Sequence, residues 1–281
     1  MEHTLTYSVE KLVPYIHWPY FFHAWQFPAR FANVAGVHGC QACRQAWIGK
    51  QPAEDRLQAQ AASQLYDEAV EMLQRLATEG VVAQARFSIL PCRGAGDDLL
   101  FEDTWYLPCM RQQKEGGTCL CLSDFVLPQD AQGGDGVNNK VGLFATAVHC
   151  LHPDDMLQQT LCDRLAEAAA EMMHLEVRRT YWGYSPDEEL QIPDLHAEKF
   201  QGIRPAVGYP CLPDQRVIFI INRHLHMEKI GISLTENGAM QPHAATCGLM
   251  FAHPASRYFA VGEISQAQSA DYESRFLKYN V

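Results

Sequence analysis

The stretch "GIRPAVGYPCLPD" (202–214), here named the arginine segment, surrounds Arg204 with two glycines and three prolines. Proline fixes φ and lacks an amide donor, whereas glycine allows backbone angles or close approaches denied to other residues. The run therefore predicts a rigid, irregular loop and neither a helix nor a central strand. It either holds the guanidinium for a ligand or is a structural turn, and its composition leaves both interpretations open.

A second candidate site lies in "HGCQAC" (38–43), where Cys40 and Cys43 have CxxC spacing beside His38. A structural zinc site needs four ligands, and no second CxxC or HxxxH follows at the usual spacing. The sequence favours incidental thiols in a loop, with metal or redox chemistry as the alternative. The ten cysteines as a whole are scattered, which favours reduced thiols over a disulfide framework.

Two other motifs fail on their context. "RGAGDD" (93–98) begins like a nucleotide-binding glycine loop, but "LLFEDTWYL" follows it and is strand-like, whereas such a loop must open a helix. An ordinary hairpin turn is predicted instead. "DLHAEK" (194–199) begins like the D-x-H-x-x-G signature that ligates cobalamin, yet Lys199 replaces the glycine that allows close approach, so this match is interpreted as accidental.

The helices that must position these residues are indicated by hydrophobic periodicity. One is predicted over 52–80, with Gly80 as its C-cap, and a longer one over 152–183, which starts at an aspartate cap. Residues 265–280 predict a closing helix. The aromatic stretch 11–25 contains two prolines and predicts a short, buried, interrupted segment.

Four strands are predicted, and hairpin signals outnumber βαβ units, which is typical of an α+β protein. A polar, glycine-rich loop, "QDAQGGDGVNN" (129–139), precedes the last of them. The predicted strands are "VVAQARFSILPC", "DDLLFEDTWYLPC", "CLCLSDFVLP" and "KVGLFATAVHC".

Composition limits the function classes. With 281 residues and 47% hydrophobic content the chain can bury a substantial core, as one large domain or two small ones. A net charge of −11 without a basic stripe argues against nucleic acid as a partner. No apolar run is long enough for a membrane span, and the first residues lack the features of a secretory signal. We therefore expect a cytoplasmic protein without a membrane partner.

The arginine segment belongs to a longer series of motifs spread over nearly all 281 residues. In order these include "PYIHWPYFFHAW", "GDDLLFED", "CLSDFVLP", "DRLAEAAAEMMHLEVRRTYWGY", "FQGIRPAVGYPCLPD", "LTENGAM" and "FAHPASRYFAVGEI". The series closely resembles the S-adenosylmethionine-binding activation domain of cobalamin-dependent methionine synthase. The resemblance implies a single helmet-like α+β domain over residues 1–281, with a twisted antiparallel β-sheet flanked by helices.

The resemblance also implies the ligand-binding positions. Arg204 would meet the methionine carboxylate, because its planar fork suits a carboxylate. That role would be contradicted if the guanidinium were buried against an internal acid. Two acidic positions near the binding groove could favour the sulfonium, although solvated carboxylates are the alternative for both. The matching positions are His17, Glu167, Glu198, Arg204, Ala206, Gly208, Tyr209, Tyr258 and Phe259.

One matching position departs from the family pattern. The N-terminal motif there runs tyrosine, isoleucine, aspartate, tryptophan, and the aspartate accepts a hydrogen bond from the ligand's ammonium, whereas this chain has His17 in "YIHW". A neutral imidazole can accept one hydrogen bond but supplies no negative charge, and a protonated one would repel the ammonium. We therefore predict weak S-adenosylmethionine binding that improves on His17→Asp.

The function implied by the resemblance is reactivation of an oxidised cobalamin. S-Adenosylmethionine would donate a methyl group while a flavodoxin- or ferredoxin-like protein supplies an electron. Because the chain has no D-x-H-x-x-G loop, cobalamin is expected on a separate methionine synthase chain. The protein would contribute positioning and electrostatics, so no catalytic residue is expected in it. Reactivation of another corrinoid methyltransferase, or a non-catalytic S-adenosylmethionine-binding or scaffold role, remain the alternatives.

Overall fold

A computed structural model describes residues 2–131 and 136–280. The strands in these residues are β1 (Glu2–Ser8), β2 (Val82–Ala95), β3 (Asp98–Phe101), β4 (Trp105–Pro108), β5 (Lys140–Val148), β6 (Ser233–Leu234), β7 (Met240–Gln241) and β8 (Ala245–Met250). The helices are α1 (Val9–Leu12), α2 (Trp18–Ala24), α3 (Gln41–Gly49), α4 (Arg56–Thr78), α5 (Met156–Glu176), α6 (Ile192–His196), α7 (Val217–Leu225) and α8 (Gln266–Asn280).

The main sheet is antiparallel, with strand order β4-β3-β2-β5-β8. The long strand β2 organises it, because β5 pairs along one of its edges while β1 and then β3 pair along the other. The sheet curls into a half-barrel with helices around it. This confirms the predicted α+β class with a twisted antiparallel sheet flanked by helices.

Strand β5 shows how the sheet separates two hydrophobic cores. Phe144 and Val148 pack into the core that includes α4 and α5, whereas Leu143 and Ala145 pack into the core that includes α7. This alternation follows from the two-residue period of a strand. The Thr146 hydroxyl, on the α5 side, donates to the Ala166 carbonyl at 2.8 Å and so ties α5 to the sheet.

The predicted long helices are present. A 3₁₀ turn (Ala53–Asp55) leads into α4, and Gly80, at φ +77°, follows its end. At the start of α5 the Asp155 carboxylate accepts from the amides of Leu157 and Gln158, and a five-residue π-helical segment continues the helix as far as Tyr181. Helix α8 is the predicted closing helix. These boundaries follow local signals, namely caps and periodicity.

The N-terminal aromatic segment is interrupted, as the sequence predicts. Helix α1 passes into a 3₁₀ turn (Val13–Tyr15), and α2 begins at Trp18 with Pro19 in its first turn. Proline is tolerated there because the first amides of a helix have no partner within it. The break places the residues just before α2 at the edge of the α5-side core.

The hairpin predicted at "RGAGDD" is confirmed, because Ala95 pairs with Asp98 around Gly96, which has φ +66°. The strand predicted after it is wrong in extent. It is divided into β3 and β4 by a turn at Glu102 and Asp103, whose φ values of +50° and +55° lie in the left-handed region. Such angles end a strand.

The predicted strand "CLCLSDFVLP" is wrong. A 3₁₀ helix (Leu122–Phe125) lies there, because the Asp124 carboxylate accepts from the Cys121 amide at 2.8 Å and closes a local turn. The Arg111 guanidinium also donates to Asp124 at 2.8 Å. In the loop predicted over 129–139, residues 132–135 lie outside the described residues.

Membrane insertion finds no support in the helices of residues 2–131 and 136–280, none of which combines the length and the apolar character needed to span a bilayer.

Candidate functional site

The arginine segment extends the sheet beyond β8. Ile203 and Ala206 bridge Phe251 and Gly248 in antiparallel register, and the Leu249 amide donates to the Pro205 carbonyl at 3.0 Å. Pro205 is tolerated because an edge strand does not need every amide as a donor. The segment is therefore an irregular added edge of the sheet, and it is neither a helix nor a central strand, as predicted.

Gly248 allows the arginine segment to lie this close to β8. A Cβ atom at Gly248 would lie 2.1 Å from the Pro205 carbonyl oxygen and 2.7 Å from the Ala206 Cα atom. The tight return after the segment needs glycine as well, since Gly208 has φ +91° and its amide donates to the Leu212 carbonyl at 2.9 Å. Backbone geometry thus fixes where the Arg204 side chain leaves the sheet.

A cavity of about 400 Å³ lies where the arginine segment meets α5, α6 and residues 15–20, which lead into and begin α2. This volume is in the range of small-molecule sites. Five of the nine predicted site residues line it, namely His17, Glu167, Glu198, Arg204 and Tyr209. The cavity therefore combines a guanidinium, carboxylates, imidazole and phenol rings, which suits a ligand that carries both charges and an aromatic ring.

Arg204 is buried, with a side chain 10% exposed, and its Nη2 lies 3.3 Å from Glu171 Oε2. This meets part of the condition that would contradict a ligand-binding role, because Glu171 is a nearly buried acid. The pairing is incomplete, since Nε and Nη1 of Arg204 and Oε1 of Glu171 are buried without a hydrogen-bond partner among the described residues. Unpaired buried donors are costly, so this guanidinium is suited to a further anionic partner.

Electrostatics keep the arginine charged. Burial by itself would lower the pKa of Arg204, but the neighbouring groups, Glu171 first and then Tyr258 and Glu167, raise it above its ordinary value. The guanidinium carbon also lies 5.5 Å from the centre of the Phe144 ring. The charge is therefore positioned between carboxylates and an aromatic face.

The other predicted residues surround the arginine without all reaching the cavity. The Tyr258 hydroxyl accepts from the Arg204 amide at 3.0 Å, and its ring lies 6.1 Å from that of Tyr209. Ala206 and Gly208 contribute the backbone described above. Phe259 lies outside the lining residues, with its ring 6.4 Å from that of Phe125 in the opposite core.

His17 lines the cavity in an unpaired state. Burial, followed by the charges of His196 and Arg164, lowers the pKa of His17 below its ordinary value. Its Nδ1 is buried and has no hydrogen-bond partner within the described chain. The ring packs edge-on against His196 at 4.6 Å. His17 therefore presents a neutral imidazole and no negative charge to the cavity at pH 7.

Glu198 has an unusual backbone conformation at the rim. It follows the end of α6 with φ +53°, in the left-handed region that favours glycine. Partial burial of the carboxyl group, and then the nearby Glu171, raise the pKa of Glu198, although the residue as a whole is exposed. Strain of this kind is retained where the surroundings determine it and often accompanies function.

Sequence reasoning missed several lining residues. Arg164 and Glu171 lie on the same face of α5 as Glu167, and their helical spacing was a usable signal. His196, Tyr15 and Tyr20 also line the cavity, and none of them was predicted as a site residue. His196 lies within "DLHAEK", and its Nε2 is 3.2 Å from the Tyr15 carbonyl oxygen.

Comparison with known proteins gives two findings. The family model described as "Vitamin B12 dependent methionine synthase, activation domain" matches residues 8–276. The crystal structure of the MetH reactivation domain bound to AdoHcy is similar at 30% sequence identity with a TM-score of 0.81, and the match covers 98% of this chain and 85% of that one.

Proposed function

Because this chain belongs to the family of the vitamin B12-dependent methionine synthase activation domain, we propose that it binds S-adenosylmethionine in the cavity at Arg204. In this role it presents the methyl group to a cobalamin held by a partner. The single observation that carries the proposal is the buried Arg204 guanidinium, two of whose nitrogens have no partner among the described residues.

The ligand's chemistry matches the walls of this cavity. Its carboxylate would accept from the free donors of Arg204 as a charge-assisted pair. Its sulfonium and ammonium would lie among Glu167, Glu171 and Glu198, and its adenine against Tyr20 or Tyr209. The structural neighbour with AdoHcy bound supports this ligand class.

The residues of this chain would act by binding, orienting and excluding water. The methyl group of a sulfonium is already electrophilic, so no acid or base is needed to activate it and no catalytic residue is proposed. Cobalamin on the partner would supply the nucleophilic cobalt after accepting one electron from a flavodoxin- or ferredoxin-like protein. AdoHcy would be left in the cavity. We place the cobalamin on a separate methionine synthase chain in the cytoplasm.

Titration calorimetry of S-adenosylmethionine tests the binding role. Arg204→Lys keeps the charge but loses the planar fork, and we expect at least about tenfold weaker binding. Arg257→Lys, at an exposed arginine outside the lining residues, is the matched control and should bind like the wild type. Equal affinities for the wild type and Arg204→Lys would contradict the proposal.

Reactivation is tested by mixing this chain with cob(II)alamin-loaded methionine synthase that lacks its own activation domain, with a reductant and S-adenosylmethionine. Methylcobalamin absorption that depends on this chain would support the proposal. The neutral imidazole of His17 favours one second candidate, a non-catalytic S-adenosylmethionine-binding or scaffold protein. That candidate predicts ligand binding, or partner binding, without methylcobalamin.

A further inference from the structure

The amino end of α3 gathers three metal-ligating side chains away from the cavity. One ligand atom each from His38, Cys40 and Cys43 lies within 4.8 Å of the others. The sequence favoured a loop position for the two thiols, and this prediction is wrong. Cys40 is the N-cap of α3, and Cys43 is in the first turn of that helix. Cys40 and His38 are exposed and Cys43 is partly exposed, so a metal ion can reach all three.

Helix geometry explains why the three side chains converge. An N-cap residue and the residue three positions later lie on the same side of a helix start. His38 is oriented toward the same point, because its Nδ1 accepts from the Cys40 amide at 3.2 Å. If His38 Nδ1 coordinated a metal ion, its lone pair would bind the metal instead of accepting a hydrogen bond from the Cys40 amide.

The elements around the cluster hold it in place. The Arg44 Nη1 donates to the Val34 carbonyl at 2.7 Å, and the Trp47 indole donates to Asn33 at 3.0 Å. Both bonds tie α3 to the 3₁₀ segment Ala29–Gly36, which ends just before His38. Arg44 also pairs with Asp67 of α4 at 2.8 Å, and this contact ties α3 to α4.

We propose that His38, Cys40 and Cys43 form a three-ligand site for Zn²⁺, with the fourth position open to water or an external ligand. Thiolate and imidazole ligands select a borderline-soft ion over Mg²⁺ or Ca²⁺, which prefer oxygen. Metal–ligand lengths of about 2.0–2.3 Å place tetrahedral ligands roughly 3.5 Å apart, so binding would require side-chain rotation to bring together the three ligand atoms, which lie within 4.8 Å of one another. In the described part of the chain the group has these three members and no fourth. The four-ligand requirement applies to closed structural zinc sites.

Zn²⁺ titration against a chromogenic chelator tests the site. The full chain is first reduced and freed of metal, and its free thiols are counted before the titration. We expect one equivalent to bind, and Co²⁺ in its place to give thiolate charge-transfer bands with tetrahedral d–d absorption. Cys40→Ser and Cys43→Ser should each weaken Zn²⁺ binding at least about tenfold. Cys119→Ser, at a partly exposed thiol outside the cluster, is the matched control and should leave Zn²⁺ binding unchanged.

Circular dichroism of each metal-free variant shows whether it is folded. The site would be ruled out if the wild type took up no Zn²⁺, or if Cys40→Ser bound it as tightly as Cys119→Ser. S-Adenosylmethionine titration of Cys43→Ser should match the wild type, because none of the three ligands lines the cavity. Failure of the metal site and failure of the S-adenosylmethionine site are therefore distinguishable.

Discussion

At the scale of single residues, His17 lies on the cavity wall, at the position where the family resemblance implies an aspartate. His17→Asp should strengthen S-adenosylmethionine binding about ten- to a hundredfold, since a charged hydrogen bond contributes about 1.5–3 kcal/mol. Titration calorimetry at pH 7.5 measures this. His23→Asp adds the same charge at an exposed position of α2 outside the lining residues and should have little effect. Equal affinities for His17→Asp and the wild type would show that residue 17 does not interact with the ammonium group of the ligand.

Glu198 lines the cavity and has a left-handed backbone conformation. Glu198→Gly should stabilise the fold by about 0.5–1 kcal/mol, because glycine adopts the φ of +53° without the penalty of a side chain. The same change removes a carboxylate from the cavity and should weaken S-adenosylmethionine binding. Urea denaturation and calorimetry measure the two effects. Glu198→Gln, which keeps the side chain, should weaken binding without the gain in stability, and a stabilised Gln variant would argue against strain.

The limits of sequence reasoning at this scale are physical. Arg204 and Glu167 were predicted by resemblance, and both line the cavity. Glu171 was missed as the partner of Arg204 because this contact joins α5 to an edge 33 residues away. The packing of Phe259 on the opposite core also depends on the tertiary fold. The spacing of residues along the chain predicts neither the contact between Arg204 and Glu171 nor the packing of Phe259.

At the scale of elements, the contact between β8 and the arginine segment positions Arg204. Gly248→Ala should cost about 1–3 kcal/mol of stability and weaken S-adenosylmethionine binding, because the new Cβ would meet the Pro205 carbonyl oxygen at 2.1 Å. Urea denaturation and calorimetry report both effects. Gly49→Ala, where nothing lies within 4 Å of the added Cβ, is the control. Unchanged binding in a folded Gly248→Ala protein would show that the close approach does not position Arg204.

Prediction of elements succeeded where the signal is local. Periodicity and caps within one segment indicated α4 and α5. The strand predicted at "CLCLSDFVLP" was wrong because the Asp124 side chain competes for backbone amides, which hydrophobicity does not encode. The antiparallel pairing of Ile203 with Phe251 joins residues distant in sequence, so no local pattern predicts it.

At the scale of the whole molecule, the cavity joins parts of the chain that only the complete fold brings together. Its walls come from residues 15–20 at the start of α2, from α5, from α6 with the adjoining Glu198, and from the arginine segment. A ligand bound there stabilises the folded state alone, so binding is linked to global unfolding. Substitutions that change the packing of α5 are therefore expected to affect both stability and the site.

Burial of His174 in α5 makes the stability of the whole fold depend on pH. Burial, and then the charges of Arg178 and Arg204, hold the pKa of His174 well below its ordinary value. In the unfolded chain His174 therefore takes up a proton near pH 6.5, whereas in the folded chain it stays neutral at that pH. The stability that this difference contributes is present above pH 6.5. This stability should be lost at up to about 1.4 kcal/mol per pH unit as the pH falls below 6.5.

Urea denaturation between pH 7.5 and 5.5 measures how steeply the free energy of unfolding changes with pH. His174→Gln should flatten this pH dependence, whereas His23→Gln, at an exposed position of α2, should not. Identical slopes for the wild type and His174→Gln would mean that this histidine does not contribute.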